Sequence, residues 1–201
     1  MYIMEQPYTF LLVGRSGSGK GTQAKLLIDY LGRNTRFSSI TITTGDHVRG
    51  FLATEGHTRD IAKNVADAGE LQPLFLPIWM WSSQIIREYT GQEHLILDGA
   101  GRRMAEVLVL ESMLDFYGSR CVVIHLDLPR EEALERMISR DRSDDKRDQI
   151  SQRLDWFDRD VNSVLDYTKA ARLFDYVWID GTPDIEGIHN SIIAGIGSYM
   201  K

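Results

Sequence analysis

The stretch from residue 8 to residue 27 reads YTFLLVGRSGSGKGTQAKLL and decides the fold. It begins with a short apolar run, Tyr8–Val13, which is rich in β-branched and aromatic residues and predicts a buried strand. A glycine-rich turn follows, and from Lys20 onward the composition is that of a helix. A strand, a glycine-rich turn and a helix in this order are typical of a loop that holds phosphate groups.

Three glycines in this turn, Gly14, Gly17 and Gly19, let the backbone point its N–H groups inward around an anion. The N-terminus of the following helix adds a partial positive charge, and Lys20 adds a mobile ammonium group for the outer phosphates. A turn that only joined the strand to the helix would not need a lysine at this offset. The predicted nucleotide-binding residues of the loop are Gly14, Gly17, Ser18, Gly19, Lys20, Gly21 and Thr22.

Similar apolar runs recur along the chain, at Ser39–Thr43, His94–Asp98, Cys121–Asp127 and Asp175–Asp180. Most of these runs are continuously hydrophobic, as strands buried on both faces of a parallel sheet are. Segments with helical spacing are Lys20–Tyr30, Asp46–Glu55, Thr58–Asp67, Pro77–Tyr89, Glu106–Phe116, Arg130–Arg140 and Lys146–Lys169. The alternation predicts an α/β fold, a doubly wound five-stranded parallel sheet of the P-loop NTPase type, with ligands at the carboxyl ends of the strands.

Composition narrows the class of protein further. The 201 residues suit one domain with its own core, and no apolar run approaches the roughly 20 residues of a membrane span. The single cysteine, Cys121, excludes an internal disulfide and a thiolate-rich zinc site. The net charge of −6 argues against a nucleic-acid partner but allows a local basic pocket for a small anion. We therefore expect a cytoplasmic monomer with no nucleic-acid or membrane partner.

Two motifs introduce a family resemblance. The loop ends in Gly-Lys-Gly-Thr-Gln at residues 19–23, and Thr44-Gly-Asp-His-Val-Arg49 follows the second apolar run. With the segments described below, they resemble the adenylate kinases and their nucleoside monophosphate kinase relatives, over the range from Phe10 to Ile188. The resemblance implies a Mg²⁺-dependent phosphotransferase that binds ATP and a monophosphate. It also implies a phosphate contact for Arg49, which by itself would be interpreted as a surface arginine on a helix.

The resemblance places an acceptor pocket in a helical segment at about 44–90. Asp67-Ala-Gly-Glu-Leu-Gln-Pro73 resembles a segment whose backbone lines this pocket, and it also fits a helix end capped by Gly69. Asp98-Gly-Ala-Gly-Arg102-Arg103 stands where relatives have Asp-Gly-Phe-Pro-Arg-Thr. The implied monophosphate-binding residues are Thr44, Gly45, Arg49, Leu71, Gln72, Gly99, Arg102 and Glu106.

Two residues are candidates for holding Mg²⁺. Asp98 ends the third apolar run, where a carboxylate can hold the hydration shell of the ion. The general loop pattern has Ser or Thr directly after the lysine. Gly21 occupies that position here, so Thr22 is the hydroxyl that we expect at the metal.

The most charged segment, Ser139–Asp148, contains both signs and on spacing alone indicates a solvated loop. In the relatives, arginines at the positions of Arg136, Arg140, Arg142 and Arg153 surround the phosphoryl groups. Arg136 and Arg140 are also i, i+4 neighbours, so one of them could be a solvated helix arginine. Relatives place a lid between the arginines that correspond to 140 and 142, so the lid here, at about 139–146, is minimal.

The resemblance therefore implies catalytic roles for Lys20, Arg102, Arg140, Arg142 and Arg153, and it adds Arg136 and Gly181 to the ATP-binding residues. Cations scattered along the chain would converge on one cleft, where they offset the repulsion between two anionic nucleotides. A phosphate oxygen of the acceptor is already ionised, so the reaction requires no general base.

Glu106 stands where adenylate kinases place the glutamine that contacts the acceptor base. A carboxylate only accepts hydrogen bonds, so it suits the two neighbouring donors of guanine better than it suits adenine. Glu106 is also spaced to pair with Arg102 or Arg103 on a helix. The family favours AMP as acceptor. The alternatives are GMP, UMP, CMP, a non-nucleotide small molecule, or a nucleotide-binding module without turnover.

Overall fold

The computed structural model describes residues 6–139 and 147–199. Its strands are β1 (Thr9–Gly14), β2 (Ser38–Thr43), β3 (Glu93–Asp98), β4 (Cys121–Asp127) and β5 (Phe174–Asp180). Within the described ranges these five strands form one parallel sheet in the order β2-β3-β1-β4-β5. The predicted strands are confirmed, with ends that differ by at most one residue, and so is the α/β fold with a doubly wound parallel sheet.

Helices connect the strands and cover both faces of the sheet. They are α1 (Lys20–Asn34), α2 (Thr44–Leu52), α3 (His57–Asp67), α4 (Phe75–Glu88), α5 (Met104–Phe116), α6 (Arg130–Ser139), α7 (Arg147–Trp156), α8 (Asn162–Ala170) and α9 (Ile185–Ile196). The helix predicted over 146–169 consists of α7 and α8, joined by a π-helical turn at Phe157–Val161. Helix α1 ends four residues after its predicted end, and α2 begins two residues early, directly at the end of β2.

The end of α3 confirms the predicted glycine cap. Gly69 has φ of +77°, in the left-handed region. The backbone N–H groups of Gly69 and Glu70 donate to the carbonyl oxygens of Ala66 and Val65, both at 3.0 Å. This pair of bonds is the Schellman arrangement, which satisfies the last carbonyls of a helix and favours glycine.

Helix α9 lies outside the predicted helices, although its signal is present in the sequence. Its buried residues Ile188, Ile192 and Ile196 recur with helical spacing. Asp184 caps the helix, since its Oδ1 accepts a hydrogen bond from the backbone N–H of Gly187 at 2.8 Å. An apolar stripe preceded by an Asp cap is the pattern of an amphipathic helix.

The sheet is buried on both faces. Phe10 and Leu12 of β1 pack on one face, together with apolar residues of α1 and α9. Leu11 and Val13 pack on the other face, with residues of α4, α5 and α8. Successive residues of a strand point to opposite faces, so a strand that is buried on both sides is apolar throughout.

The central position of β1 determines where ligands can bind. It pairs with β3 on one side and β4 on the other, so the chain connections diverge from it and leave a crevice at the carboxyl edge. Asp98 lies opposite Leu12 of β1 and opposite Thr43 of β2. The glycine-rich loop, Asp98 and the start of α2 therefore meet at one edge of the sheet.

A smaller core joins α2, α3 and α4. Ala62, Leu76 and Met80 are buried there, and Val48 and Phe51 pack against them. The helical segment predicted at about 44–90 thus has packing of its own, beside the core of the sheet. None of the helices in the described ranges combines the length and the apolar character that a bilayer-spanning helix needs.

Candidate functional site

The phosphate loop packs so closely that side chains would not fit at two of its glycines. A Cβ atom at Gly14 would lie 2.6 Å from the carbonyl oxygen of Leu126, and one at Gly17 would lie 2.7 Å from that of Ala133. Gly17 also has φ of +90°, where other residues are strained. These glycines are what permits the path of the loop from β1 to α1.

Lys20 begins α1 and reaches back over the loop. Its Nζ donates to the carbonyl oxygen of Gly14 at 2.8 Å and to that of Arg15 at 2.9 Å. The carbonyl oxygen of Arg15 also accepts a hydrogen bond from the backbone N–H of Ser18 at 3.1 Å. The ammonium group is therefore held across the loop that is predicted to bind phosphate.

Ser18, a predicted ATP-binding residue, is fully buried beneath the loop. Its hydroxyl has no hydrogen-bond partner among the described residues. The Oγ atom would lie 2.7 Å from a Cβ at Gly14, so it packs against the start of the loop. In this arrangement the side chain supports the loop from below, and a direct contact with a nucleotide would require the loop to rearrange.

A cavity of about 1080 Å³, the main cavity, opens at the carboxyl edge of the sheet. The phosphate loop and α1 bound it on one side, and α2 with the segments 66–72 and 98–106 bound it on the other. The predicted site residues that line it are Gly17, Gly19, Lys20, Gly21, Thr22, Thr44, Gly45, Arg49, Leu71, Gln72, Asp98, Gly99, Arg102, Glu106, Arg136 and Arg153. Residues expected to bind donor and acceptor therefore share one cavity.

Cationic side chains from separate elements line the main cavity. They are Lys20 and Lys25 of α1, Arg49 of α2, Arg102 and Arg103 before α5, Arg136 of α6 and Arg153 of α7. Fixed positive groups around one space lower the cost of bringing two phosphate-bearing ligands together. The structure thus brings together the predicted cations Lys20, Arg49, Arg102, Arg136 and Arg153. The predicted Arg140 and Arg142, with residues 140–146 of the predicted lid, lie outside the described residues.

Arg49 lies on the side of the main cavity that is predicted to bind the acceptor, with its side chain 51% exposed. Its Nη2 donates to Oδ1 of Asp46 at 2.5 Å, so a carboxylate of the same helix orients it. A Cβ at Gly45 would lie 3.3 Å from Nη1 of Arg49, so the glycine leaves room for the guanidinium. A planar group in this position suits the oxygens of a phosphate.

Arg102 lines the main cavity and is exposed there. Its guanidinium lies over Gly99, where an added Cβ would lie 2.8 Å from Nη2. Desolvation by the surrounding protein lowers the pKa of Arg102, while the carboxylates of Glu106 and Asp98 raise it and the charge of Arg153 lowers it. Arginine stays protonated under such shifts. Arg102 is therefore a permanent positive charge that lines the main cavity beside Gly99.

Glu106 forms an ion pair with Arg103, one of the two partners that its spacing on the helix allowed. Its side chain is 3% exposed, and its Oε1 accepts a hydrogen bond from Nε of Arg103 at 3.2 Å. Its Oε2 accepts one from the backbone N–H of Arg102 at 3.4 Å. Nη2 of Arg103 also donates to the carbonyl oxygen of Gln72 at 2.6 Å. The pair of Arg103 and Glu106 ties α5 to the acceptor side and still lines the main cavity.

Gln72 is buried, and both its side chain and its backbone are hydrogen-bonded to neighbouring segments. Its Nε2 donates to the carbonyl oxygen of Ala62 at 2.8 Å, which holds the segment against α3. Its backbone carbonyl accepts the hydrogen bond from Arg103. Only the contact with Ala62 depends on the glutamine side chain, because any residue at position 72 supplies the backbone carbonyl.

Asp98 and Thr22 lie at the same end of the main cavity. A Cβ at Gly21 would lie 3.5 Å from Oδ2 of Asp98, so this carboxylate faces the first turn of α1. Thr22 belongs to that turn, and both residues line the cavity. A carboxylate and a hydroxyl are oxygen donors of the kind that Mg²⁺ prefers, and the ion usually keeps several waters. The donor set therefore fits a magnesium ion shared with phosphates.

Arg136 and Gly181 lie where α6 meets the turn after β5. Nη2 of Arg136 donates to Oε1 of Glu132 at 2.5 Å and to the carbonyl oxygen of Thr182 at 3.2 Å. The backbone N–H of Gly181 donates to the carbonyl oxygen of Asp127 at 2.7 Å, so Gly181 packs on the end of β4. Arg136 lines the main cavity, whereas Gly181 is absent from its lining in the described part of the chain.

A side cavity of about 60 Å³ adjoins the main cavity behind Ala100 and Gly101. These two residues stand where relatives have Phe-Pro, and the change is expected to loosen the packing. Phe157 and Val161 of the π-helical turn line the same space. Part of the site is thus bounded by a region that no motif in the sequence indicates.

Comparison with known proteins identifies the family. The family model described as adenylate kinase matches residues 12–172. The chain is 32% identical over 198 residues to an adenylate kinase of Micrococcus luteus, with 95% of this chain and 91% of that protein covered. It is 33% identical over 193 residues to one of Bifidobacterium longum, with 92% and 97% covered. The chain belongs to the adenylate kinase family.

Membership of the adenylate kinase family confirms the resemblance predicted from the motifs and makes the protein a phosphotransferase. The matched range extends from β1 to the residues after α8. It contains every predicted site residue except Gly181, which lies beyond it.

Two further arginines of this adenylate kinase family member were not singled out as site residues by the motifs. Arg103 lines the main cavity, and its position next to Arg102 is a signal that could have found it. Arg15 lies between glycines of the phosphate loop, where a long cationic side chain is itself conspicuous. Neither signal predicts which way the side chain extends, because that depends on packing between distant segments.

Proposed function

We propose that this member of the family is itself an adenylate kinase, which transfers the γ-phosphoryl group of Mg²⁺-bound ATP to AMP and yields two molecules of ADP. The observation that carries the proposal is the main cavity, with the phosphate loop on one side, the acceptor segment on the other and cations of α1, α2, α6 and α7 around it. Family membership and the names of the two relatives support the choice.

On the donor side, we assign the triphosphate to the phosphate loop. Backbone N–H groups of the loop and the N-terminus of α1 attract phosphate oxygens. On binding, Nζ of Lys20 would exchange the carbonyl oxygens of Gly14 and Arg15 for the outer phosphates. Arg136 and Arg153 would add positive charge from α6 and α7.

Thr22 and Asp98 would hold magnesium, together with phosphate oxygens and water. The ion neutralises charge on the phosphates when it is bound. Among residues 6–139 and 147–199, no group of three or more His, Cys, Asp or Glu side chains is arranged to hold a metal ion by itself. The phosphates would therefore supply a large part of the coordination, as is usual for magnesium in phosphotransferases.

On the acceptor side, we assign the phosphate of AMP to Arg49 and Arg102. A guanidinium group donates two parallel hydrogen bonds to phosphate oxygens, which fixes direction as well as distance. Asp46 orients Arg49, and the absence of a side chain at Gly99 makes room for Arg102. The surrounding acceptor residues would be Thr44, Gly45, Leu71, Gln72, Gly99 and Glu106.

Transfer needs positioning rather than proton removal. An ionised oxygen of the AMP phosphate attacks the γ-phosphorus, and the bond from that phosphorus to the β–γ bridging oxygen breaks. The bridging oxygen remains with ADP. Lys20, Arg102 and Arg153 line both the main and the side cavity, so they lie where the two sides meet. Charges fixed there stabilise the moving phosphoryl group without reorganisation.

The pairing of Glu106 supports adenine as the acceptor base. A lone carboxylate would face the lone pair of the adenine ring nitrogen, but Glu106 lies beside the N–H donors of Arg103. Nε and Nη2 of Arg103 already donate to Glu106 and to Gln72, so Nη1 would be the donor beside the carboxylate in a pattern like that of a glutamine amide. Adenine, with an exocyclic N–H group beside a ring nitrogen, complements such a pattern.

A panel of acceptors tests the proposed function. ATP is combined with AMP, GMP, UMP or CMP, with magnesium or with EDTA, and ADP formation is followed. We expect kcat/KM for AMP to exceed that for each of the others by at least about tenfold, and no turnover with EDTA. A preference for GMP would contradict the adenine assignment. Binding of ATP without transfer to any acceptor would indicate a module without turnover.

A further inference from the structure

Arg15 stands inside the phosphate loop, yet its guanidinium makes contacts away from the main cavity. Its Nη1 donates to the carbonyl oxygen of Leu128 at 2.8 Å, and its Nε and Nη2 donate to Oδ1 of Asp158 at 3.1 Å and 2.6 Å. The guanidinium carbon lies 4.9 Å from the centre of the Phe157 ring. The side chain is only 20% exposed, so these contacts hold it in one orientation.

Asp158 lies in the π-helical turn that continues α7, and it binds a second arginine. Its Oδ2 accepts a hydrogen bond at 2.7 Å from Nη1 of Arg130, the first residue of α6. Nη2 of Arg130 donates to Oδ1 of Asp155 at 2.6 Å. Partial burial raises the pKa of Asp158, but hydrogen bonds from Arg130 and Arg15 outweigh this effect, and the net pKa lies below its ordinary value. Asp158 is an anion between two cations.

Asp158 connects the phosphate loop, α6 and α7, and each of these elements carries or precedes a cation that lines the main cavity. The phosphate loop leads into Lys20, α6 carries Arg136 and α7 carries Arg153. The connection to Lys20 runs through the backbone, because Arg15 and Lys20 are five positions apart in the same loop. A displacement of Asp158 would therefore shift the loop, α6 and α7 relative to one another.

We propose that Arg15 and Asp158 are positioning residues for phosphoryl transfer, and that their ion pair, extended by Arg130, fixes Lys20 relative to Arg153. The inference rests on the proposed function, because it gives the ion pair a role in the transfer step. Neither Arg15 nor Asp158 lines the main cavity of the described chain, so they act through other residues. Misplacement of a reacting group by about 1 Å can cost two orders of magnitude in rate, so loosening this contact should be measurable.

The variants Asp158→Asn and Asp155→Asn form a matched pair. Each removes a carboxylate charge that Arg130 contacts, but only Asp158 also contacts Arg15. We expect Asp158→Asn to lower kcat about three- to tenfold and to weaken ATP binding by a similar factor, with KM for AMP unchanged. Asp155→Asn should stay within about twofold of the wild type, because its carboxylate is largely exposed.

A double-mutant cycle tests the contact itself. Arg15→Ala should lower kcat more in the wild type than in Asp158→Asn, because the shared contact is already lost there and only the contacts of Arg15 with Leu128 and Phe157 remain to be removed. All variants are assayed well below their thermal unfolding midpoints, which are measured separately. Additive effects in the cycle would overturn the inference. An Asp158→Asn protein with a lower unfolding midpoint but wild-type kcat and ATP affinity would also overturn the inference. The contact between Arg15 and Asp158 would then contribute to stability alone.

The result for the wild type decides separately on the proposed function. A wild-type protein that transfers no phosphoryl group from ATP to AMP contradicts that function, whatever the variants do. Calorimetric affinity for ATP still decides on the positioning role in that case. A three- to tenfold weaker affinity in Asp158→Asn, about 0.7–1.4 kcal/mol, supports the role, and an unchanged affinity overturns it.

Discussion

The two sides of the main cavity are built in different ways. On the donor side, the phosphate loop is locked by close backbone approaches, with Gly14 against β4 and Gly17 against α6. On the acceptor side, α2, α3 and α4 share a small core of their own, and Arg49 extends half into solvent. The donor side is held by backbone packing on the sheet, whereas the acceptor side depends on side chains of a lightly packed helical segment.

This difference indicates that the two sides of the main cavity differ in rigidity. Regions with few buried contacts open and shift at low free-energy cost, whereas densely packed regions stay in place. Under the proposed function, the preformed donor side would hold the triphosphate, and the acceptor side would adjust to the second substrate. Changes on the donor side should therefore abolish transfer, and changes on the acceptor side should mainly weaken acceptor binding.

The largest expected effect is on the donor side, for Lys20→Ala. Loss of one fixed donor to the transferring phosphoryl group should lower kcat about 10²- to 10³-fold, with the unfolding midpoint nearly unchanged. The matched control is Lys63→Ala in α3, which removes an exposed lysine paired with Asp67 and should stay within about twofold. Steady-state assays and thermal unfolding of both variants check this, and wild-type activity in Lys20→Ala would remove the proposed donor role.

Gly17→Ala tests how rigidly the donor side is locked. The new Cβ would lie 2.7 Å from the carbonyl oxygen of Ala133, at a φ that strains any side chain. We expect the free energy of unfolding to fall by about 2–3 kcal/mol and ATP binding to weaken. On the acceptor side, Gly50→Ala in α2 meets nothing within 4 Å and should raise stability by about 0.5–1 kcal/mol. Urea unfolding measures both, and equal effects would contradict the comparison.

Arg49→Ala addresses the acceptor side. Removal of a guanidinium that binds the acceptor phosphate should raise KM for AMP about ten- to hundredfold, while the affinity for ATP stays the same. The control is Arg59→Ala in the neighbouring helix α3, where Nε donates to the carbonyl oxygen of Leu52. An Arg49→Ala protein with the wild-type KM for AMP would show that the acceptor phosphate binds elsewhere.

A smaller effect is the loss of folding stability at low pH, which arises from two buried histidines in the sheet that supports the donor side. Burial lowers the pKa of His94 in β3 to about 4, and burial does the same for His125 in β4, also to about 4. The unfolded chain binds a proton near its ordinary pKa of about 6.5, so each neutral imidazole stabilises the fold fully above that pH. This stabilisation is lost as pH falls from 6.5 toward 4.

The corresponding measurement compares wild type with His94→Gln by urea unfolding at pH 7 and pH 5. Nδ1 of His94 accepts a hydrogen bond from the backbone N–H of Tyr8 at 3.0 Å, a role that a glutamine oxygen can take without titrating. We expect the wild type to lose about 1–2 kcal/mol more than His94→Gln over this interval. Parallel losses in the two proteins would contradict a depressed pKa at His94.

The sequence predicted the donor side in more detail than the acceptor side. The strand, the glycines and Lys20 follow one another directly, so the periodicity and φ preferences of neighbouring residues suffice to predict the loop. Glu106 is the contrasting case. Its spacing allowed either a role at the acceptor base or a pair with an arginine, and only the packing of α5 selects Arg103 as its partner.

Two regions were missed for different reasons. Helix α9 carries an apolar stripe and an Asp cap, and this local pattern is enough to predict a helix from the sequence. The role of Asp158 had no such signal, because it depends on a π-helical turn and on the direction of the Arg15 side chain. A π-helical turn moves the following residues around the helix axis relative to an α-helix, and no spacing rule for regular helices anticipates that shift.

By itself, the sequence determined the order of strands and helices, the glycine-rich loop and the family of the chain, since these depend on residues that are neighbours along it. The tertiary structure alone decided which distant charges meet. Arg15 and Asp158 are 143 positions apart, and Arg103 and Gln72 are 31 apart. Such contacts depend on how the elements pack around β1, and packing is a property of the whole core rather than of any local stretch.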